Sequence, residues 1–349
     1  MDSAQFQSLL LAWFDQYGRK DLPWKINPTP YRVWVSEVML QQTQVTTVIP
    51  YFERFIEKLP DVENLAAASI DDVLNLWSGL GYYARGRNLH KTARLIVDQG
   101  GQFPIDLDGL CALPGIGKST AGAILAMAFS IRASILDGNV KRVLARFHAV
   151  TGWSGDARVN KELWRLSDEA TPENRVGDYT QAIMDLGASV CKRKSPDCFG
   201  CPVREGCIGY RDGLIDEIPM PRPTKKLLEK KVYFLILRNK EGRVLLEKRP
   251  PTGIWGGLWS FPEYTDKVEL VEQCIKYSIE PPDLLWMNQH RHTFSHYHLD
   301  YTPVLLECSA FPNHVMDKAE HLWYGISKKN TCGLPAPIRR LIQQLENPD

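Results

Sequence analysis

The sequence predicts two domains: an all-α domain over residues 1–213, closed by a four-cysteine loop at 191–207, and an α+β domain over 231–349, with a linker at 214–230. Three observations predict this. Apolar residues recur at helical spacing as far as about residue 190, with no long alternating run among them. Cys191, Cys198, Cys201 and Cys207 then fall within 17 residues. Finally, the proline-rich stretch Ile218 to Pro223 is stiff and extended, and the texture beyond it changes to strands and tight turns.

The totals bound the function without naming it. The chain has 349 residues, 44% of them hydrophobic, and a formal net charge of +1. That is enough apolar material for two cores, and it gives no global charge to attract a polyanion. Any nucleic-acid contact must come from local patches such as Arg85, Arg87, Lys91 and Arg94, or Lys192, Arg193 and Lys194. Each of those also reads as an ordinary solvated face. No apolar run approaches the ~20 residues of a membrane span. The start, Met1-Asp2-Ser3-Ala4, lacks the basic residues and apolar core of a secretory signal, so an intracellular, cytoplasmic protein is expected.

Residues 5–17 have helical spacing in Phe6, Leu9, Leu10, Trp13 and Phe14, and Leu22-Pro23-Trp24 makes a rigid turn. A helix is expected from about Val33 to Val48, with Trp34, Val35, Val38, Met39 and Val45 on its apolar face. Glu37 lies inside that apolar run. It is either half-exposed on the flank or buried, and burial without a cationic partner would raise its pKa towards that of a useful acid. The polar cluster Gln41-Gln42-Thr43-Gln44 is a solvated face or a set of amides able to meet base edges. Residues 61–78 read as one further helix, and Gly79-Leu80-Gly81 breaks it ahead of Tyr82 and Tyr83. Those two tyrosines form a core pair or an exposed wedge. A basic helix with Leu89, Ala93 and Ile96 follows, and residues 160–190 are helical again.

Residues 113–146 are the centre of the first domain. Leu110 and Leu113 close a short helix that Pro114 and Gly115 stop, Gly117 ends the turn, and an apolar helix opens at Ser119 and Thr120. A glycine turn leading into a helix N-terminus points backbone N–H groups outward, where they can hold a phosphate oxygen without reading a base. Asp137 precedes Gly138-Asn139 at the start of the next helix. Alone it reads as an N-cap. If the two helices pack, it is also a carboxylate facing the turn. Residues 112–119 come close to a nucleotide-binding phosphate loop, with Ala112 where its first glycine should be. That loop must follow a buried parallel strand, and residues 104–111 carry two acids and a glycine and few β-branched side chains.

The cysteine spacing is C-x6-C-x2-C-x5-C. In an intracellular chain four such thiols mean zinc or an iron–sulfur cluster. Zinc sites usually use two close pairs, and only Cys198 and Cys201 form one here, so the spacing favours iron–sulfur. Cys111, Cys274, Cys308 and Cys332 are scattered small side chains. In the second domain, residues 232–238 and 243–249 flank the turn Asn239 to Gly242 as a β-hairpin. A glycine- and tryptophan-rich loop follows, then a helix at 268–278, an alternating strand at 292–301 and a terminal helix at 337–345. His292, His296 and His298 could share one strand face as a metal cluster.

Taken together, Ser36 to Val45, Gly79 to Arg85, Leu113 to Thr120, Leu136 to Val140, the cysteine loop and Phe294-Ser295-His296 resemble the adenine DNA glycosylase (MutY) family of the helix-hairpin-helix superfamily. The resemblance covers essentially the whole chain. It implies a monomeric base-excision enzyme that acts on double-stranded DNA, removing adenine mispaired with 8-oxoguanine or guanine. It implies a [4Fe–4S] cluster on Cys191, Cys198, Cys201 and Cys207. Glu37 becomes the acid at adenine N7 and Asp137 the carboxylate that stabilises the oxocarbenium-like sugar, with Asn139 beside it. Trp24, Leu40, Val45 and Gln181 are expected around the base, and Gln42 and Tyr82 in the stack. Gly115, Gly117 and Ser119 are expected in the phosphate-binding turn. Bifunctional relatives such as endonuclease III carry a Schiff-base lysine where Ser119 stands. Lys118 is one residue, and so about 100° of helix, away from that position. A monofunctional enzyme is therefore expected.

The second domain resembles a Nudix fold. Glu263, Glu269, Glu272 and Glu280 include no adjacent pair, and residues 263–280 hold no arginine, so pyrophosphatase chemistry is not expected. The resemblance gives this domain the opposite base to read, with Ser295 as hydrogen-bonding group and Phe294 and His296 in support. Two other functions stay open at this level: a bifunctional glycosylase/lyase like endonuclease III, and a DNA-binding iron–sulfur protein without catalysis.

Overall fold

The computed structural model describes all residues except 224–226, 278–282, 295, 309–320, 327–331 and 347–349. The chain forms two compact units, Met1–Ala67 with Asn88–Thr224, and Ala68–Arg87 with Lys225–Asp349. Residues 68–87, expected in the first domain, thus pack with the second unit. Among the described residues no helix is long and apolar enough to cross a membrane.

In chain order the helices are α1 (Ser3–Tyr17), α2 (Pro30–Leu40), α3 (Val45–Lys58), α4 (Val62–Ala67), α5 (Ile70–Leu76) and α6 (Ala84–Asp98). They continue as α7 (Leu107–Cys111), α8 (Lys118–Phe129), α9 (Gly138–Phe147), α10 (Ala157–Ala170), α11 (Val176–Asp185) and α12 (Ile208–Arg211). In the first unit α8 is the central rod, buried at every position from Thr120 to Ala126. Its small residues Ala121, Gly122 and Ala123 let neighbours approach closely, and α2 and α11 both pack on it. Phe6, Leu10 and Phe14 of α1 join Val140 and Leu144 of α9, Leu163 of α10 and Ile183 of α11 in one core.

Two expected helices are broken. The helix expected over Val33–Val48 is two, α2 and α3. Gln42 adopts a left-handed conformation (φ +57°), and the run Gln41 to Gln44 has no apolar anchor to hold it helical. The helix expected over 61–78 splits because the Ser69 hydroxyl accepts the Asp72 N–H and starts α5 afresh. The 160–190 stretch comprises α10 and α11, and α11 then loosens into a π-helical turn, Leu186–Val190, that leads directly to Cys191.

The second unit is built on one mixed sheet with β1 (Leu228–Asn239), β2 (Arg243–Lys248), β3 (Trp259–Ser260), β4 (Glu263–Tyr264), β5 (Leu284–Trp286), β6 (His290–Thr293), β7 (Tyr297–Cys308) and β8 (His321–Gly325). The main path runs β3-β2-β1-β7-β5; β4 pairs β1, β6 pairs β7 and β8 pairs β2. β1 and β7 are parallel over twelve residue pairs, while the other pairings are antiparallel. Alternation along β1 explains the layers. Phe234 and Ile236 face a core with Trp255, Leu258 and the helix α14 (Ala336–Glu346), whereas Leu235 and Leu237 face Leu270 and Cys274 of α13 (Lys267–Tyr277). The turn between β1 and β2 closes by Gly242 N–H donating to Asn239 C=O at 2.9 Å, with Gly242 at φ +71°. The strand expected over 292–301 is a β6–β7 hairpin instead. Phe294 N–H donates to Tyr297 C=O at 2.9 Å and turns the chain back on itself.

Candidate active site

A cavity of about 440 Å³ opens in the first unit, where α2, the first turn of α8, the start of α9 and α11 meet. Glu37 of α2 and Asp137 of α9 both line it. Glu37 points from a helix otherwise buried at Val35, Ser36, Val38 and Met39. Burial, and secondarily the nearby charge of Asp137, pushes its carboxyl up to about 8. Asp137 is raised by burial too, but hydrogen bonds pull the other way. As the N-cap of α9 it accepts the Val140 N–H at 2.8 Å, and Asn139 Nδ2 donates to its other oxygen at 3.3 Å. The two acids are therefore unlike. Glu37 is suited to hold a proton near neutral pH, and Asp137 has the donors that favour a carboxylate.

Asn139 is itself held. Its Oδ1 accepts from Arg142 Nη2 at 2.8 Å, and that guanidinium also donates to the carbonyls of Gly187 (2.6 Å) and Cys191 (2.7 Å). A side chain at Gly187 would meet Asn139 Cβ at 2.6 Å. Trp24, Leu40, Gln42, Val45, Ser119 and Gln181 also line the cavity. Trp24 packs edge-on to Phe52 at 5.4 Å, and the Ser119 hydroxyl accepts the Leu136 N–H at 3.0 Å just ahead of Asp137. Lys118 is not among the lining residues; its ammonium sits 4.2 Å above the Trp164 ring.

The hairpin has the expected form. Gly115 adopts φ +82°, and a side chain there would meet Asn88 Cβ at 2.8 Å. Thr92 Oγ1 donates to Pro114 C=O at 2.8 Å and pins the turn. Gly117 is the N-cap of α8, offers no capping side chain, and has no protein atom within 4 Å of where a Cβ would stand.

The other expected positions lie elsewhere. Cys191, Cys198, Cys201 and Cys207 are half-buried in one loop. Burial pushes Cys201 up to about 12, and the sulfurs of Cys191, Cys207 and Cys198 add to it, so the four thiols are neighbours. Arg146 Nη1 donates to Cys191 Sγ at 3.4 Å, and the chain supplies backbone N–H groups to Cys201 and Cys207. Among the described residues no three His, Cys, Asp or Glu side chains are placed to hold a single metal ion. Four thiols in one loop, with N–H donors beside them, are the kind of donor set that an iron–sulfur cluster takes.

In the second unit Tyr82 is 49% exposed at φ +48°, with the Arg85 guanidinium 5.5 Å from its ring. Phe294 stacks on Tyr297 at 4.7 Å and packs against His292 and Trp255, and His296 lies 4.8 Å from Tyr297. Ser295 and Glu280 lie outside the described residues. His298 is 2.9 Å from Thr293 Oγ1, and His292 belongs to the aromatic cluster, so the three histidines are not gathered as a metal site.

Sequence reasoning missed Arg19, Arg142 and Asp185. The last is an acid four residues after Gln181, one turn along the same helix, which is a usable signal. Arg142 carried none, because apart from Asn139 its partners are main-chain carbonyls.

Residues 35–169 match the model of the HhH-GPD superfamily base excision DNA repair protein, and residues 232–344 match that of the NUDIX domain. The adenine DNA glycosylase of Buchnera aphidicola from Schizaphis graminum is 38% identical over 340 residues, 97% of this chain and 98% of that one. Among solved structures, a thermostable thymine-DNA glycosylase aligns with TM-score 0.53 at 26% identity, over 60% of this chain and 97% of its own. Endonuclease III, in a non-covalent complex with DNA, shares the fold at TM-score 0.52 and 22% identity, over 61% and 99%.

Proposed function

The chain belongs to the adenine DNA glycosylase family, the N-glycosylases that act on adenine in base excision repair, and on that premise we propose how it works. It removes adenine opposite 8-oxoguanine or guanine in duplex DNA and leaves the strand uncut. Neutral adenine is a poor leaving group. Glu37 gives its proton to N7 of the extruded base, a step worth about 10²–10⁴-fold. Asp137, oriented by Asn139, stabilises the oxocarbenium-like sugar as the glycosidic bond opens, as paired carboxylates do in glycoside hydrolysis. The observation that carries this reading is that Glu37 and Asp137 line one cavity, close enough for the charge of Asp137 to act on Glu37.

Trp24, Leu40, Val45 and Gln181 surround the adenine, and Gln42 and Tyr82 fill the stack it leaves. Gly115, Gly117 and Ser119 form the turn that takes a backbone phosphate. Phe294, Ser295 and His296 read the opposite base. Cys191, Cys198, Cys201 and Cys207 hold a [4Fe–4S] cluster, which when bound supplies four iron–sulfur bonds that tie the loop together. The protein acts as a monomer.

Against a lyase, Ser119 offers no amine and Lys118 is engaged on Trp164. The test is product analysis on a duplex with one adenine opposite 8-oxoguanine. Free adenine with an intact abasic strand is expected. No adenine would leave only a DNA-binding role, and rapid strand cleavage through a borohydride-trappable lysine adduct would make it a lyase.

A further inference from the structure

We infer that Asp185, which does not itself line the cavity, is a positioning residue that sets the enzyme's preference for a 6-amino purine; the inference rests on the reading of the cavity as the adenine site. Asp185 is 1% exposed and accepts four hydrogen bonds. Its Oδ1 receives Arg19 Nε (2.9 Å), Arg19 Nη2 (2.6 Å) and Gln181 Nε2 (2.8 Å), and its Oδ2 receives the Arg19 backbone N–H (2.9 Å). Arg19 and Gln181 both line the cavity beside Glu37 and Asp137.

A carboxamide can turn over and exchange its N and O at little cost when its neighbours permit either. Here they do not. A carboxylate only accepts, so the Gln181 NH₂ must face Asp185, and the carbonyl oxygen is the end left to face a ligand. That is the polarity an adenine needs, because its C6 amine donates. A 6-oxo purine presents an acceptor at the same place and would meet another acceptor. The same carboxylate anchors two nitrogens of the Arg19 guanidinium, so one buried group orients both polar side chains of this wall. Asp185→Asn disturbs the constraint in either orientation: an NH₂ at the Oδ1 position opposes Arg19 and the Gln181 NH₂, and one at the Oδ2 position opposes the Arg19 backbone N–H, so the Gln181 carboxamide loses its fixed partner and can turn over.

The experiment compares single-turnover release of adenine with release of unsubstituted purine, which lacks the C6 amine, from otherwise identical duplexes opposite 8-oxoguanine. In Asp185→Asn the adenine-to-purine rate ratio is expected to fall about tenfold, roughly one well-made hydrogen bond. In the Gln181→Met background the same change is expected to leave the ratio unmoved. If Asp185→Asn does not fold, Asp185→Glu serves instead. It keeps the charge beside Arg19 but displaces the Gln181 carboxamide, and it is expected to lower the ratio likewise. Equal loss on both bases, with the ratio intact, is what a merely structural role gives and would overturn the inference. A wild-type enzyme that releases neither base would instead sink the functional reading beneath it.

Discussion

Replacing Glu37 with Gln separates chemistry from stability in opposite directions. The wild-type carboxyl is raised from an ordinary 4.5 to about 8, first by burial and then by Asp137. At pH 7 it is about nine-tenths protonated and at pH 9 about one-tenth, so single-turnover adenine release should hold through neutrality and fall roughly tenfold per pH unit above 8. Glutamine cannot donate an acidic proton. Glu37→Gln should lose about 10²–10⁴-fold in rate, on the order of 3–5 kcal/mol of barrier, and lose the basic limb of the profile. Stability moves the other way. Between pH 4.5 and 8 the folded state binds more protons at this site than the unfolded chain, so wild-type stability falls as pH rises through that window. The upper limit is about 5 kcal/mol, fully expressed above pH 8. Gln carries no such penalty, so the variant should melt higher than wild type at pH 8 and show little difference near pH 4.5. Rates that stay level to pH 10, or a variant less stable than wild type at pH 8, would refute the assignment of the proton to Glu37.

Other outcomes follow from the surroundings of the site. Gly187→Ala drives a Cβ into Asn139 and should slow adenine release by tenfold or more in a single-turnover assay, with a smaller change in duplex affinity. Gly117→Ala meets no protein atom, so its melting temperature should match wild type; with the proposed phosphate contact at this turn, the added methyl should lower gel-shift affinity for duplex DNA. Lys118→Met should leave both adenine release and borohydride trapping unchanged, since the ammonium rests on Trp164. Iron analysis and the visible absorption of purified protein should report four iron atoms per chain, falling sharply in Cys198→Ser.

The helix-rich first unit was legible because helical periodicity is a local signal, and the α7–α8 hairpin because Pro114 and Gly115 act locally. Helix interruptions were not. Gln42 and Ser69 end or restart helices through single dihedrals and single hydrogen bonds that periodicity averages over. Glu37 stood out as an acid in an apolar run, yet the charge that adds to the effect of its burial is that of Asp137, one hundred residues away. Asp185 and Arg142 act through partners remote in the chain, Arg19, Cys191 and Gly187, and no spacing in the sequence announces those contacts. The loop at Phe294 read as a strand because its residues alternate, although the backbone bond from Phe294 to Tyr297 folds it into a hairpin.

The most direct test of two acids converging on one cavity is to titrate Glu37 itself, by carbon-13 NMR of its carboxyl in the intact protein, alone and in Asp137→Asn. A titration near 8 that moves downward when the Asp137 charge is removed is the expected result. A Glu37 that titrates near 4.5, or one indifferent to Asp137, would contradict it.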